Sequence, residues 1–263
     1  MNNIKEVQSS LLEGVQYIHE ICKINKINYF LIAGSALGAE RHSGFIPWDD
    51  DIDIGLIRDD YNKLLKVLES SGNKRFFLQN NETDPNYFLG YSKIRMNNTI
   101  YREKYYKNVD MHQGVFVDIF PFDKVGKSTF STKIKYSFLK IIQVLILVKY
   151  YNLTKRGVLY SFCFFPLMFL SKKSLQMISE KLLKPNNDIH APVYYLNSFG
   201  RYSFDKELVE VNNIGQPKLK KFENTSLYVP EKIENYLTNL YGDYMKLPPL
   251  HLRETHSPLE IKL

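Results

Sequence analysis

The chain has 263 residues, 24% charged and 44% hydrophobic, with a formal net charge of +7. That length holds one sizeable core, or one core with a substantial insertion. Cys22 and Cys163 are the only cysteines, which argues against a disulfide framework or a cysteine zinc site and fits a reducing, cytosolic setting.

The N-terminus is polar and acquires amphipathic spacing at once, so no secretory leader is expected. Ile4, Val7, Leu11, Val15, Ile18 and Cys22 recur at helical spacing and predict a helix over 4–24. Residues 28–33, with Tyr29-Phe30-Leu31-Ile32, read as a buried strand ended by Gly34-Ser35. A short helix over 36–41 follows. A helix N-terminus behind a glycine turn suits phosphate, because its backbone N–H groups point outward.

The next stretch, Pro47-Trp48-Asp49-Asp50-Asp51-Ile52-Asp53-Ile54, holds four acids in five positions. As a strand running to about Leu56, it would put Asp49, Asp51 and Asp53 on one face and Ile52 and Ile54 in the core. Carboxylates on one edge repel each other unless a cation lies between them. Mg²⁺ takes such oxygen ligands, usually one or two carboxylates together with substrate phosphates. A solvated acidic turn is the alternative, and the alternating isoleucines favour a half-buried strand over it.

Asp59 or Asp60 is expected to cap a helix whose apolar face includes Leu64, Leu65 and Leu68. Residues 76–78, 87–96 and 99–102 read as strands. Lys93 and Arg95 share parity, so they lie either on a solvated face or on a phosphate-binding one. Residues 114–121 form a further apolar strand with Asp118 inside it. A lone carboxylate among Val117, Ile119 and Phe120 is costly to bury unless it is paired or metal-bound, which makes Asp118 a site candidate.

From Lys124 to Ser179 there are ten basic residues and no acidic one, so the basic excess is local and points to an anionic partner. The two most hydrophobic stretches, 138–151 and 158–170, fall in this segment. Each is shorter than the roughly 20 residues that span a bilayer. The segment is expected to dock peripherally on an anionic membrane, at the inner face of the plasma membrane, or to pack as a helical hairpin on the core. Its aromatics lie within apolar runs rather than interleaved as stacking platforms, which argues against a nucleic-acid partner. Residues 186–229 read as short strands and loops, and 233–244 as a last helix. The predicted organisation is a catalytic core over 1–123, a basic hydrophobic helical insertion over 124–185, and a part over 186–263 that completes the same domain.

Gly34-Ser35-Ala36-Leu37-Gly38-Ala39, continuing through Arg41-His42-Ser43-Gly44-Phe45-Ile46-Pro47-Trp48 into the Asp49–Asp53 run, resembles the LicD family. Val117-Asp118-Ile119-Phe120-Pro121 and Tyr241-Gly242-Asp243-Tyr244-Met245 through Pro248-Pro249 are also similar to it. The fukutin-related ribitol-phosphate transferases share the outline of the first motif. The resemblance implies an α/β (α+β) fold, with a nucleotidyltransferase-like core of mixed sheet flanked by helices. It implies transfer of a phosphoryl-linked group, commonly phosphocholine, from a CDP-activated donor to a sugar hydroxyl of a cell-surface glycan.

Carried onto this chain, Asp51 and Asp53 match the metal-binding pair, Asp118 the third carboxylate and Asp49 the extra acid before them. Mg²⁺ or Mn²⁺ is the expected metal. CDP-choline, CDP-ribitol and CDP-glycerol are the candidate donors, and the acceptor is a glycan or its lipid-linked precursor. Gly34 and Ser35 are expected to cradle donor phosphates. Lys93, Arg95 and Arg253 are candidates for charge neutralisation, and Arg41, His42 and His256 for further substrate contacts. Two rival functions stay open at this stage: a nucleotidyltransferase that attaches a nucleoside monophosphate, and a non-catalytic glycan- or membrane-binding module.

Overall fold

The computed structural model describes residues 4–126, 130–151, 169–183, 192–253, 255 and 258–263. Helix α1 (Ile4–Asn25) buries Val7, Leu11, Val15, Ile18 and Cys22, the stripe its spacing predicts. Strand β1 (Phe30–Leu31) is shorter than expected, because helix α2 (Ala33–His42) begins at once. Gly34 and Ser35 therefore lie in the first turn of α2 rather than in a loop before it.

Strand β2 (Asp53–Ile57) leads into helix α3 (Arg58–Ser70). Neither Asp59 nor Asp60 caps α3; both lie in its first turn, where a carboxylate favours the helix dipole. Strands β3 (Phe76–Gln79), β4 (Ser92–Met96), β5 (Ile100–Arg102) and β6 (Phe116–Val125) follow. Beyond helices α4 (Phe130–Tyr151) and α5 (Lys172–Leu183), the chain returns to the sheet as β7 (Tyr194–Asn197) and β8 (Leu208–Glu210). Short helices α6 (Phe204–Glu207) and α7 (Val211–Ile214), the hairpin β9 (Lys218–Phe222) and β10 (Thr225–Val229), helix α8 (Ile233–Tyr241) and strand β11 (Glu260–Lys262) complete the order.

The fold is mixed α/β, with one curled mixed sheet flanked by helices. The strand order is β1-β2-β6-β4-β3, with β7 also on β6 and β8 on β7. Strand β6 organises it. Along one edge it pairs with β2 in parallel, from Asp53↔Asp118 to Ile57↔Phe122. Its other edge is divided: β4 pairs antiparallel with Phe116–Ile119, and β7 with Phe122–Val125. Strand β6 thus runs past residue 123, and the segment from 194 joins the same sheet.

The main core lies between this sheet and α1, α2, α3 and α8, around Tyr29, Phe30, Ile52, Ile54, Val117 and Ile119. A separate cluster of Ile142, Ile146 and Leu175 joins α4 to α5. Among the described residues, no helix is long and apolar enough to cross a membrane. Most of the 158–170 stretch lies outside the described residues.

Candidate active site

The acidic run is an extended segment that becomes a strand only at Asp53, so Asp49 and Asp51 precede the sheet rather than sit in it. The side chains still alternate. Asp50, Ile52 and Ile54 are buried, at 5%, 0% and 0% exposure, while Asp49, Asp51 and Asp53 are half-buried. Asp50, which shares parity with the isoleucines, accepts a hydrogen bond from Tyr101 Oη at 2.6 Å. Burial, and then this bond to a carboxylate, raise the Tyr101 phenol above its ordinary range.

Backbone bonds fix the run. Gln8 Nε2 donates to the Asp49 carbonyl at 2.9 Å, and Asp118 N donates to the Ile52 carbonyl at 3.0 Å. Asp53 N donates to Ser35 Oγ at 2.8 Å. Ser35 thereby ties the start of α2 to the first residue of β2. Gly34 serves the same junction: a Cβ there would stand 2.9 Å from Asp49 Oδ2, so the Asp49 carboxylate lies against the N-terminal turn of α2. A negative charge is stabilised at that end of a helix.

Asp118 is 6% exposed. Its Cα partners are Asp53 on β2 and Lys93 on β4, which puts the three residues in one row across three strands. Partners across a ladder point to the same face, so the row brings two carboxylates and one ammonium together. Lys93 Nζ stands 2.6 Å from Asp118 Oδ1, as an ion pair. At that distance the ammonium is the direct partner of this buried carboxylate oxygen. Burial pushes the Asp118 carboxyl above the usual carboxylate range, and Lys93 pulls it back.

The row has aromatic walls. Lys93 Nζ lies 3.5 Å from the Phe116 ring centroid and 5.5 Å from that of Tyr91, which stacks on Phe120. Tyr87 and Tyr91 are raised well above the ordinary phenol range, first by burial and then by the Asp118 charge. Among the described residues, the buried Tyr87 hydroxyl has no hydrogen-bond partner.

Lys93 and Arg95 do not form a solvated strand face: both are buried, at 2% and 1% exposure. Arg95 donates to Gln79 Oε1 and to the Gly114 carbonyl, each at 2.7 Å, so the protein's own acceptors engage it. Arg41 donates from Nη1 to the Tyr244 carbonyl at 2.7 Å and from Nε to His42 Nε2 at 3.0 Å. Burial, and then the adjacent Arg41 charge, lower the His42 imidazole. Arg253 stacks over Trp48, with its guanidinium carbon 4.0 Å from the ring centroid, which brings the C-terminal segment beside the acidic run. His256 lies outside the described residues.

Among the described residues, no three or more His, Cys, Asp or Glu side chains are gathered as ligands for one ion. As ligand atoms the Asp53–Asp118 pair offers carboxylate oxygens, one of them already paired with Lys93. That donor set fits Mg²⁺, which keeps one or two carboxylates and completes its shell with water and substrate phosphate.

The sequence reading passed over Asp50 and Tyr101. The signal for Asp50 was present in its parity with Ile52 and Ile54, which turns it inward and demands a partner.

Residues 26–143 match a family profile described as LicD/FKTN/FKRP, nucleotidyltransferase domain. The matched region holds the acidic run, Lys93 and Asp118. The chain is 26% identical over 261 residues to the lipopolysaccharide cholinephosphotransferase LicD of Haemophilus influenzae, covering 96% of this chain and 95% of that protein. It is also 39% identical over 51 residues to the ribitol 5-phosphate transferase FKRP of Mus musculus and of Homo sapiens, covering 19% of this chain and 10% of each relative. The part of the chain that carries the acidic run and Asp118 thus matches the LicD-family nucleotidyltransferase domain.

Proposed function

We propose that the protein is a phosphotransferase acting on a cell-surface glycan or its lipid-linked precursor. It moves phosphocholine or a polyol phosphate from a CDP-activated donor to a sugar hydroxyl. The observation that carries this reading is the row Asp53, Asp118 and Lys93, set in register across β2, β6 and β4. The likeness to a cholinephosphotransferase over nearly the whole chain supports the same reaction class.

In this reading Asp53 and Asp118, the two carboxylates of the row, would hold Mg²⁺ or Mn²⁺ together with the donor phosphates. A bound ion of this kind offsets charge on the diphosphate. The chain's own residues do the positioning. Ser35 and Gly34 fix Asp53 and Asp49 against α2. Asp118 accepts a hydrogen bond from the acceptor hydroxyl and aims its oxygen at the β-phosphorus. The new oxygen–phosphorus bond forms as the bond to CMP breaks, and the hydroxyl proton leaves to solvent. Lys93 balances the buried Asp118 charge while this happens. Phosphoryl transfer asks a protein for positioning and charge, and buried, cross-braced carboxylates supply both.

The test is CMP release from CDP-choline, CDP-ribitol and CDP-glycerol, with Mg²⁺ and acceptor glycan. One donor should release CMP, EDTA should abolish the release, and Mg²⁺ or Mn²⁺ should restore it. Pyrophosphate release from CTP, with no CMP from any of the three donors, would assign a nucleotidyltransferase instead.

A further inference from the structure

Helix α4 is held to the protein by one face. Tyr136, Leu139, Ile142 and Ile146 are buried on it. Tyr136 Oη donates to the Tyr202 carbonyl at 2.9 Å, and Lys140 Nζ to the Gly200 carbonyl at 2.6 Å. Over the first three turns the opposite face is apolar and exposed; further along, Leu145 in line with it is buried. Phe130, Ile134 and Phe138 recur four residues apart, at 76%, 48% and 51% exposure. Residues at that spacing form one stripe along a helix.

Lys133 and Lys135 are exposed on either side, each about 100° from the centre of the stripe at 3.6 residues per turn. Lys133 pairs with the exposed Asp205 at 3.0 Å, and its side chain remains half exposed. An apolar stripe with flanking cations, on a helix whose other side is already fixed, has the pattern of a helix that lies in a lipid–water interface.

We propose that the exposed face of α4 seats the protein on an anionic lipid surface. Phe130, Ile134 and Phe138 enter the interface, and Lys133 and Lys135 meet the headgroups. Charge decides the occupant: residues 124–179 carry ten basic side chains and no acidic one, so an anionic surface is attracted and a second copy of the same face is repelled. The helix lies on the surface and does not enter it end-on, since no described helix is long and apolar enough to cross. The attachment does not depend on the transfer chemistry, and its test reads binding alone.

Co-sedimentation decides it, with vesicles of phosphatidylglycerol and phosphatidylcholine set against phosphatidylcholine alone. The wild-type chain should pellet with the anionic vesicles, and high salt should weaken the binding. Phe130→Ser with Phe138→Ser should lower the partition coefficient about tenfold or more, while Lys133→Gln with Lys135→Gln should remove most of the salt dependence. Phe130→Ser alone, at the most exposed of the three positions, serves if the double variant fails to fold. Wild-type protein left in the supernatant with anionic vesicles would overturn the proposal. So would serine variants that bind as tightly as wild type. A dimer that the serine substitutions dissociate, without vesicle binding, would assign the face to a second copy.

Discussion

Asp118 and Lys93 are one electrostatic unit, and the consequences of breaking it differ from those of changing Asp53. Asp118→Asn leaves a buried ammonium without its counter-charge, which costs about 3–5 kcal/mol. It should therefore lower both turnover and the urea midpoint. Asp53 is half-buried and its backbone is held by Ser35, so Asp53→Asn should cut CMP release by orders of magnitude with little change in the midpoint. Adding Lys93→Met to Asp118→Asn should recover much of the lost stability and none of the turnover. Near-wild-type turnover in Asp53→Asn would remove that residue from the reaction.

The sequence made part of this legible. A lone Asp in an apolar strand had to be paired or metal-bound, and alternation along Asp49–Ile54 told which side chains face in. It did not tell that Lys93 is the partner. That depends on the register of β4 against β6, and register is set by the sheet as a whole rather than by either strand. Tyr101 was hidden for the same reason: its bond to Asp50 joins residues 51 positions apart.

At the scale of elements, α2 shows why two glycines of one motif do different work. A Cβ at Gly38 would lie 2.4 Å from the Gly44 carbonyl oxygen, which is backbone and cannot swing away. Gly38→Ala should destabilise the fold by about 1–3 kcal/mol. A Cβ at Gly34 would meet only the end of the Asp49 side chain, so Gly34→Ala should spare thermal stability and displace that carboxylate. A larger loss of melting temperature for Gly34→Ala than for Gly38→Ala would contradict this division.

The contact between α4 and α6 carries a titration. Burial raises Glu207 to about 7, opposed by its bond from Tyr202 N and by Lys140. Burial lowers Lys140 to about 8, opposed by Glu207. Between the ordinary value of 4.5 and about 7, the folded state holds a proton on Glu207 that the unfolded state has released, so stability falls as pH rises through that window. Between about 8 and 10.5 the unfolded state keeps the Lys140 proton that the folded state has lost, and stability rises with pH. Glu207→Gln should flatten the first limb, worth on the order of 3 kcal/mol, and widen the second, because the charge that opposes the lowering of Lys140 is gone. Urea midpoints across pH check both limbs. Strand lengths were the least legible feature here. Residues 87–91 read as strand, but the strand itself starts at Ser92, and Asp49–Ile52 are held by Gln8 and Asp118 N rather than by a ladder.

For the whole molecule, the family resemblance implied the mixed α/β class and a late part completing the same domain was expected, but the pairing that joins that part to the sheet was not legible. Residues 186–229 read as short strands and loops, and they hold β7 to β10, but nothing local told that β7 covers the second half of one edge of β6. The pairing that does so closes between residues 122 and 197, too far apart for any local pattern to announce.

The division of β6 between β4 and β7 also sets a timetable for a chain emerging from the ribosome. Strands β2, β4 and β6 have all been made by Val125, so Asp53, Lys93 and Asp118 can meet before half of the residues exist. The far half of β6 must then wait, with one edge unpaired, until Tyr194–Asn197 arrives. Strand β5, whose Tyr101 secures Asp50, waits longer still for Glu260–Lys262 to pair with it. A nascent chain stalled between these points would hold its charged row assembled beside an open strand edge, and it is at that stage that a chaperone would find the most to bind.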